Sequence, residues 1–143
     1  GEELGMVGKV EPLNADYLNS LLDKGYTPVL ASLALDDLGL MYNVNADDAA
    51  QAIAALLNAP LYFISDVPGV LDGEGKVIEN LDETLASELI ASGVITEGMA
   101  VKVKNALVAA SIIKKPVYIA SYKDPNLALN LFERRRLGTA FNA

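Results

Sequence analysis

Apolar residues recur along the chain in two patterns, short unbroken runs and stripes at helical spacing. Bounded unbroken runs predict buried strands, and they occupy Thr27–Leu35, Pro60–Ser65 and Pro116–Ser121. Shorter strands are predicted at Met6–Val10, Leu40–Tyr42 and Gly138–Phe141. Because the central runs are apolar throughout rather than alternating, they indicate a parallel sheet that is covered on both faces.

Helical stripes lie between these runs, and most begin after a residue that can cap a helix. The predicted starts are Asn14, Asn45, Asp82, Thr96 and Asn126. Gly25 and Gly93 are typical helix stops. Since strands alternate with helices, the predicted fold class is α/β, a three-layer αβα sandwich around a mainly parallel sheet with short β-hairpins. Residues 1–143 are expected to form a single domain.

Composition narrows the function classes. The net charge of −8 argues against a nucleic-acid binder, because such proteins need a basic face. The chain has no Cys and no His, which excludes a Ser-His-Asp triad, a cysteine nucleophile and a His/Cys zinc site. No apolar run is long enough for a membrane span, and no signal peptide is visible. We expect a cytoplasmic protein without a membrane partner.

Polar residues gather where three predicted strands end, at Ser32–Leu35, Ser65-Asp66 and Ser121-Tyr122. Open α/β sheets bind ligands outside the carboxyl ends of their strands. The pattern therefore predicts a crevice at this edge without naming its ligand.

The segment Asn43–Asp48 runs from a predicted hairpin into a predicted helix and contains two Asn and two Asp. A helix N-terminus favours an anion, because its free N–H groups and dipole are positive there. Asn45 as an N-cap, with Asp47 and Asp48 facing the dipole, explains the same residues structurally. Both interpretations are open at this point.

Two further segments have a comparable ambiguity. The loop Asp66–Leu71 contains Gly69, so its backbone could approach a flat ring or a ribose, or it could be a simple turn. Lys102 lies about one turn inside the helix that Thr96 opens, where a cation is disfavoured unless an anion binds at the same end. A solvated surface lysine is the alternative.

The order and spacing of these segments resemble the carboxyl-terminal half of the amino-acid kinase family, over essentially the whole chain. Within that family the residues are most similar to those of members that phosphorylate N-acetyl-L-glutamate. The matching stretches are Leu4–Gly8, Gly25–Val29, Asn43–Asp47, Ser65–Gly73, Gly93–Met99, Val101–Val103 and Gly138-Thr139.

The resemblance implies an ATP-binding domain of an arginine-biosynthetic kinase. This kinase would transfer the γ-phosphoryl group of ATP, bound with Mg²⁺, to the side-chain carboxylate of N-acetyl-L-glutamate. The resemblance assigns Asn43 to binding the acyl amino acid, Asp47 to organising the catalytic lysines, and Lys102 to stabilising the transferring phosphoryl group. It assigns nucleotide contacts to Asp66, Val67, Pro68, Gly69, Val70 and Leu71, and to Val94, Ile95 and Thr96. It implies no metal site on the protein itself.

The family's glycine-rich phosphate loop, early catalytic lysine and substrate-binding arginine have no counterpart, and the chain has no Gly-Gly pair. We therefore expect a chain cut from a longer protein, without the amino-terminal half that binds the acyl amino acid. Alone it should have negligible kinase activity and be a monomer or a weak self-associate, whereas its parent should be a homo-oligomer. Two alternatives are the ATP-binding half of a family member with another acceptor, and a non-catalytic nucleotide-binding or autonomously folding fragment.

Overall fold

The computed structural model describes residues 7–10, 14–133 and 135–142, with the backbone alone at Glu97. The chain forms two compact units, residues 1–59 and 60–143. That residues 1–143 form a single domain stays a prediction. Met6, where the first strand is predicted to begin, lies outside the described residues.

The first unit consists of two helices and a hairpin between them. Its elements are α1 (Asp16–Asp23), β1 (Leu33–Leu35), β2 (Met41–Asn43) and α2 (Ala46–Leu56). The helix α1 begins two residues after the predicted cap, yet Asn14 Oδ1 still accepts from the Asp16 N–H at 2.8 Å. The antiparallel hairpin turns at Asp36, whose Oδ1 accepts from the N–H groups of Leu38 and Leu40, both at 2.9 Å. The turn predicted there is confirmed.

The buried strand predicted over Thr27–Leu35 is wrong in extent and in burial. Its last three residues pair with Met41–Asn43, and the Ser32 carbonyl accepts one further hydrogen bond from the Val44 N–H at 3.0 Å. Val29 is 93% exposed and Leu35 is 67% exposed. An apolar run signals a tendency to be buried, but a strand also needs a partner of equal length. In the predicted strand at Met6–Val10, Val7 likewise forms only an isolated parallel bridge with Asn43.

The second unit contains the larger sheet. Its elements are β3 (Leu61–Ser65), β4 (Asn80–Leu81), α3 (Glu83–Ala91), α4 (Glu97–Ile113), β5 (Val117–Ser121), α5 (Leu127–Phe132) and β6 (Thr139–Phe141). The strand order is β3-β5-β6-β4, in which β3 pairs parallel with β5, β4 pairs parallel with β6, and β5 pairs antiparallel with β6. The predicted α/β class, with a mainly parallel sheet and a short hairpin, is confirmed.

The core of this unit lies where α4 packs on β5 and β6. The helix presents a stripe of buried residues, Val103, Ala106, Ala110 and Ile113, and the strands contribute Val117, Ile119 and Phe141. The strand β4 was missed from sequence, because two residues are too few for a periodic pattern. Its Leu81 is nevertheless only 1% exposed.

The loop after β3 is held against the start of β6. Thr139 Oγ1 accepts a buried hydrogen bond from the Val70 N–H at 2.8 Å, and a Cβ added to Gly69 would lie 2.7 Å from that oxygen. Gly138 has φ +57°, and a Cβ there would collide with the carbonyl oxygen of Ile119. Close packing of these glycines therefore fixes the course of the loop that follows β3.

Replacing Gly138 with alanine should destabilise the second unit strongly. The new Cβ adds a backbone collision to an unfavourable left-handed φ, so we expect a loss of at least about 2 kcal/mol in the free energy of unfolding. Gly75→Ala is the matched control, because Gly75 has φ +80° but no atom within 4 Å of an added Cβ. Urea denaturation measures both variants, and equal losses would contradict the assignment.

Thr139→Val tests the hydrogen bond that holds the loop. Valine has nearly the same shape, but it leaves the buried Val70 N–H without its acceptor, which should cost about 1–3 kcal/mol of unfolding free energy. Thr84→Val is the control, because it makes the same change at an exposed helix position. Urea denaturation should separate the two, and a loss at Thr139 no larger than that at Thr84 would refute the proposed anchor.

Candidate functional site

The carboxyl edge of the second unit's sheet is formed by two strands that end at the same level. Ser65 of β3 is the register partner of Ser121 of β5. The pairing continues one residue further, because the Tyr122 N–H donates to the Ser65 carbonyl at 2.9 Å. The loops that begin at Asp66 and Tyr122 therefore leave the sheet side by side, as predicted for two of the three strand ends. The third, at Ser32–Leu35, belongs instead to the separate two-stranded sheet of β1 and β2.

The helix α4 places Lys102 at this edge. Lys102 precedes the fully buried Val103, so it borders the face that packs on the sheet. Its Nζ donates to Ser65 Oγ at 2.7 Å and lies 3.7 Å from Asp66 Oδ1. Ser65 Oγ in turn donates to Asp66 Oδ1 at 3.0 Å. These three side chains form the Lys102–Ser65–Asp66 cluster, which joins a predicted catalytic lysine to the start of the predicted nucleotide loop.

The contacts of the cluster lower the pKa of its carboxylate. The Ser65 hydroxyl contributes most to lowering the pKa of Asp66 below its ordinary value, followed by the residue's own backbone N–H and the charge of Lys102. Lys123, just beyond β5, lowers this pKa further, whereas partial burial opposes the shift. The side chains of Lys102 and Asp66 are 46% and 59% exposed, so both charges are accessible to a ligand.

The residues of the predicted nucleotide loop differ in whether their side chains are exposed and could contact a ligand. The side chains of Asp66 and Leu71 are exposed, whereas Val70 is fully buried and Gly69 packs on Thr139. Val67 is half-buried and Pro68 is exposed. Any ligand contact at Gly69 or Val70 would therefore use the backbone. The loop then closes into a small hairpin through a bridge between Leu71 and Val77.

The second predicted nucleotide segment, Val94–Thr96, lies beside the tip of that hairpin. A Cβ on Gly73 would stand 4.0 Å from Val94 Cγ2, so the two segments adjoin. The side chain of Ile95 is buried, at 4% exposure. Thr96 is exposed at the N-cap position of α4, and among the described atoms its side chain makes no capping hydrogen bond. Its hydroxyl is therefore not committed to the helix.

A separate groove of about 490 Å³ in the second unit is lined by Pro68, Tyr118 and Leu137 among others. Neither Lys102 nor Asp66 lines it, so the groove is not where the two charges meet. Over the described ranges, no helix is long and apolar enough to cross a membrane. The same residues contain no group of three or more His, Cys, Asp or Glu that could hold a metal ion.

The candidates in the first unit lie where β2 runs into α2. Asn43 is the last residue of β2 and its side chain is exposed. Asn45 Oδ1 accepts from the N–H groups of Asp47 and Asp48 at 2.9 and 3.2 Å, which confirms the capping interpretation. The Asp47 side chain is exposed in the first helical turn. The assigned roles of Asn43 and Asp47 stay predictions.

Sequence reasoning missed the roles of two residues at the sheet edge. Ser65 was noted as the end of a strand and the start of a family-matching stretch, but it was given no role. A hydroxyl directly before Asp66 is the signal that could have identified it. Lys123 follows Tyr122 just beyond the neighbouring strand β5, and its charge lowers the pKa of Asp66. Its Nζ lies 5.8 Å from the centroid of the Tyr122 ring.

Two curated proteins of similar sequence are both acetylglutamate kinases, and each matches nearly the whole chain. The chain is 47% identical over 138 residues to acetylglutamate kinase of Shewanella denitrificans, covering 96% of this chain and 53% of that protein. It is 48% identical over 138 residues to acetylglutamate kinase of Photorhabdus laumondii, covering 96% of this chain and 54% of that protein. The chain therefore spans about half the length of the curated relatives it matches.

Two solved structures have a fold similar to that of this chain. The protein smu.665 from Streptococcus mutans superposes with a TM-score of 0.71 at 31% identity, covering 97% of this chain and 52% of that one. N-acetylglutamate synthase from Neisseria gonorrhoeae gives 0.79 at 22% identity, covering 96% of this chain and 32% of that one, and supports the fold alone. The model of the amino acid kinase family matches residues 2–121. The chain thus belongs to the amino acid kinase family.

Proposed function

We propose that this chain is the ATP-binding part of a kinase that transfers the γ-phosphoryl group of ATP to the side-chain carboxylate of N-acetyl-L-glutamate. The observation that carries the proposal is the Lys102–Ser65–Asp66 cluster at the carboxyl edge of β3 and β5. The high identity to two acetylglutamate kinases supports this acceptor rather than another one.

The chemistry of phosphoryl transfer fits the cluster. The reaction requires alignment of the acceptor and neutralisation of the charge on the transferring group. In this proposal Lys102 supplies a compact positive charge to the phosphates, with further positive charge from the Mg²⁺ that accompanies the nucleotide. The backbone of residues 66–71 and the segment 94–96 would hold the adenosine side. A carboxylate acceptor is already ionised at neutral pH, so no general base is needed.

The first unit would contribute to the acceptor side. Asn43 has an amide that can both donate and accept, which suits the amide and carboxylate groups of an acyl amino acid. Asp47 would orient the catalytic lysines rather than face the phosphates, because an unpaired carboxylate repels them. Its backbone already belongs to the cap of α2, so its exposed side chain is free for that role.

The acceptor site should be completed by the region of the relatives that this chain does not span. We propose that this region binds most of the N-acetyl-L-glutamate. We also propose that the complete kinase is a cytoplasmic homo-oligomer, whereas the chain alone is a monomer or a weak self-associate.

Calorimetric titration with MgATP tests the nucleotide site. We expect binding in roughly the micromolar to low-millimolar range. Lys102→Met should weaken it roughly tenfold, because a charged hydrogen bond to phosphate is lost. Lys104→Met is the matched control, since Lys104 is exposed on the same helix. Equal MgATP affinities of the two variants would contradict a role of Lys102 in binding the nucleotide.

An ADP-release assay with N-acetyl-L-glutamate tests whether the chain alone lacks the groups needed for phosphoryl transfer. The chain alone should turn over at background level, because much of the acceptor site and its catalytic groups would be missing. The full-length Shewanella denitrificans relative serves as the positive control. A rate for the chain within roughly tenfold of that control, a difference of only about 1.4 kcal/mol in barrier height, would contradict the proposal.

A further inference from the structure

The Ser65 hydroxyl bridges two opposite charges that make no direct hydrogen bond with each other. The Lys102 ammonium lies 2.7 Å from Ser65 Oγ, and that oxygen lies 3.0 Å from Asp66 Oδ1. The direct separation of Lys102 Nζ and Asp66 Oδ1 is 3.7 Å, too long for a hydrogen bond. The hydroxyl therefore accepts from the cation and donates to the anion, and it links the two in series.

The direct ion pair would hold Lys102 poorly. Both side chains are about half exposed, and exposed pairs contribute little because solvent screens them and a long side chain must be ordered. A short hydrogen bond from an ammonium is stronger and more directional. It uses one of three donor protons, so two stay available to phosphate oxygens.

The backbone of Ser65 has a separate task. Its carbonyl accepts from the Tyr122 N–H at 2.9 Å and extends the pairing of β3 with β5. Removal of the hydroxyl leaves this bond in place, so the side chain can be tested without undoing the strand pairing.

We propose that Ser65 is a positioning residue, whose hydroxyl bridges the Lys102 ammonium to the Asp66 carboxylate and so fixes that ammonium at the sheet edge. Its effect on ligand affinity rests on the proposed nucleotide-binding function, whereas the positioning itself does not. The depressed pKa of Asp66, for which this hydroxyl is the largest cause, is consistent with the same geometry. Lys102 from α4 and Lys123 beyond β5 are the cations that add to that effect.

The test compares Ser65→Ala with Ser65→Thr, which retains the hydroxyl and suits a strand. A carbon-13 NMR pH titration follows the Asp66 carboxyl group. Its midpoint should rise toward the ordinary value of 3.8 in Ser65→Ala and stay low in Ser65→Thr. Ser111→Ala is the control, because it removes a hydroxyl that donates within α4 to the Val108 carbonyl.

Calorimetric titration with MgADP gives the second readout. Ser65→Ala should weaken binding roughly tenfold, and Ser65→Thr should restore it to within about threefold of the parent chain. An unchanged Asp66 midpoint in Ser65→Ala would overturn the positioning role. A raised midpoint with parental affinity would overturn its contribution to nucleotide binding. If the parent chain binds no MgADP, the proposed function fails, and the Asp66 titration alone decides the positioning role.

Discussion

The parallel pairing of β3 with β5 is the constraint on which the candidate site depends. Leu61 pairs with Val117 and Ser65 with Ser121, so both strands run five residues and stop together. The chain must then leave both strands at one edge of the sheet. Because α4 packs its buried stripe on β5 and β6, it brings Lys102 to that same edge. A slip of one residue in the register would end the two strands at different levels and move Ser65 away from Ser121.

Stability alone does not explain the resulting cluster. Lys102 is the sixth residue of α4, beyond the first turn, so the helix dipole has little effect on it. Its exposed ion pair with Asp66 contributes little free energy of folding. Groups held without such a contribution are typical of functional sites. In the proposed function the phosphates of a nucleotide are the ligand of this cluster. The buried anchor at Thr139 holds the adjoining loop, so the edge is shaped before any ligand binds.

The sequence predicts those parts of the structure whose signal is local. The strands β3 and β5, the cap at Asn45 and the turn at Asp36 follow from short patterns and were confirmed. Thr27–Leu35 was overestimated because apolarity does not reveal the length of a partner strand. The bond between Ser65 and Lys102 joins residues 37 positions apart, so no local pattern could predict it. Family resemblance suggests positions such as Val70 and Ile95, but not that their side chains are buried.

The central claim is that a nucleotide binds at the carboxyl edge of β3 and β5. Titration of the nitrogen-15-labelled chain with MgADP, followed by amide chemical shifts, tests it most directly. The account predicts that the largest changes fall on the amides of residues 65–67, 69–71, 94–96 and 102; Pro68 has no amide proton. Changes centred elsewhere, for example on the groove beside Tyr118 and Leu137, or no changes at millimolar MgADP, would contradict it.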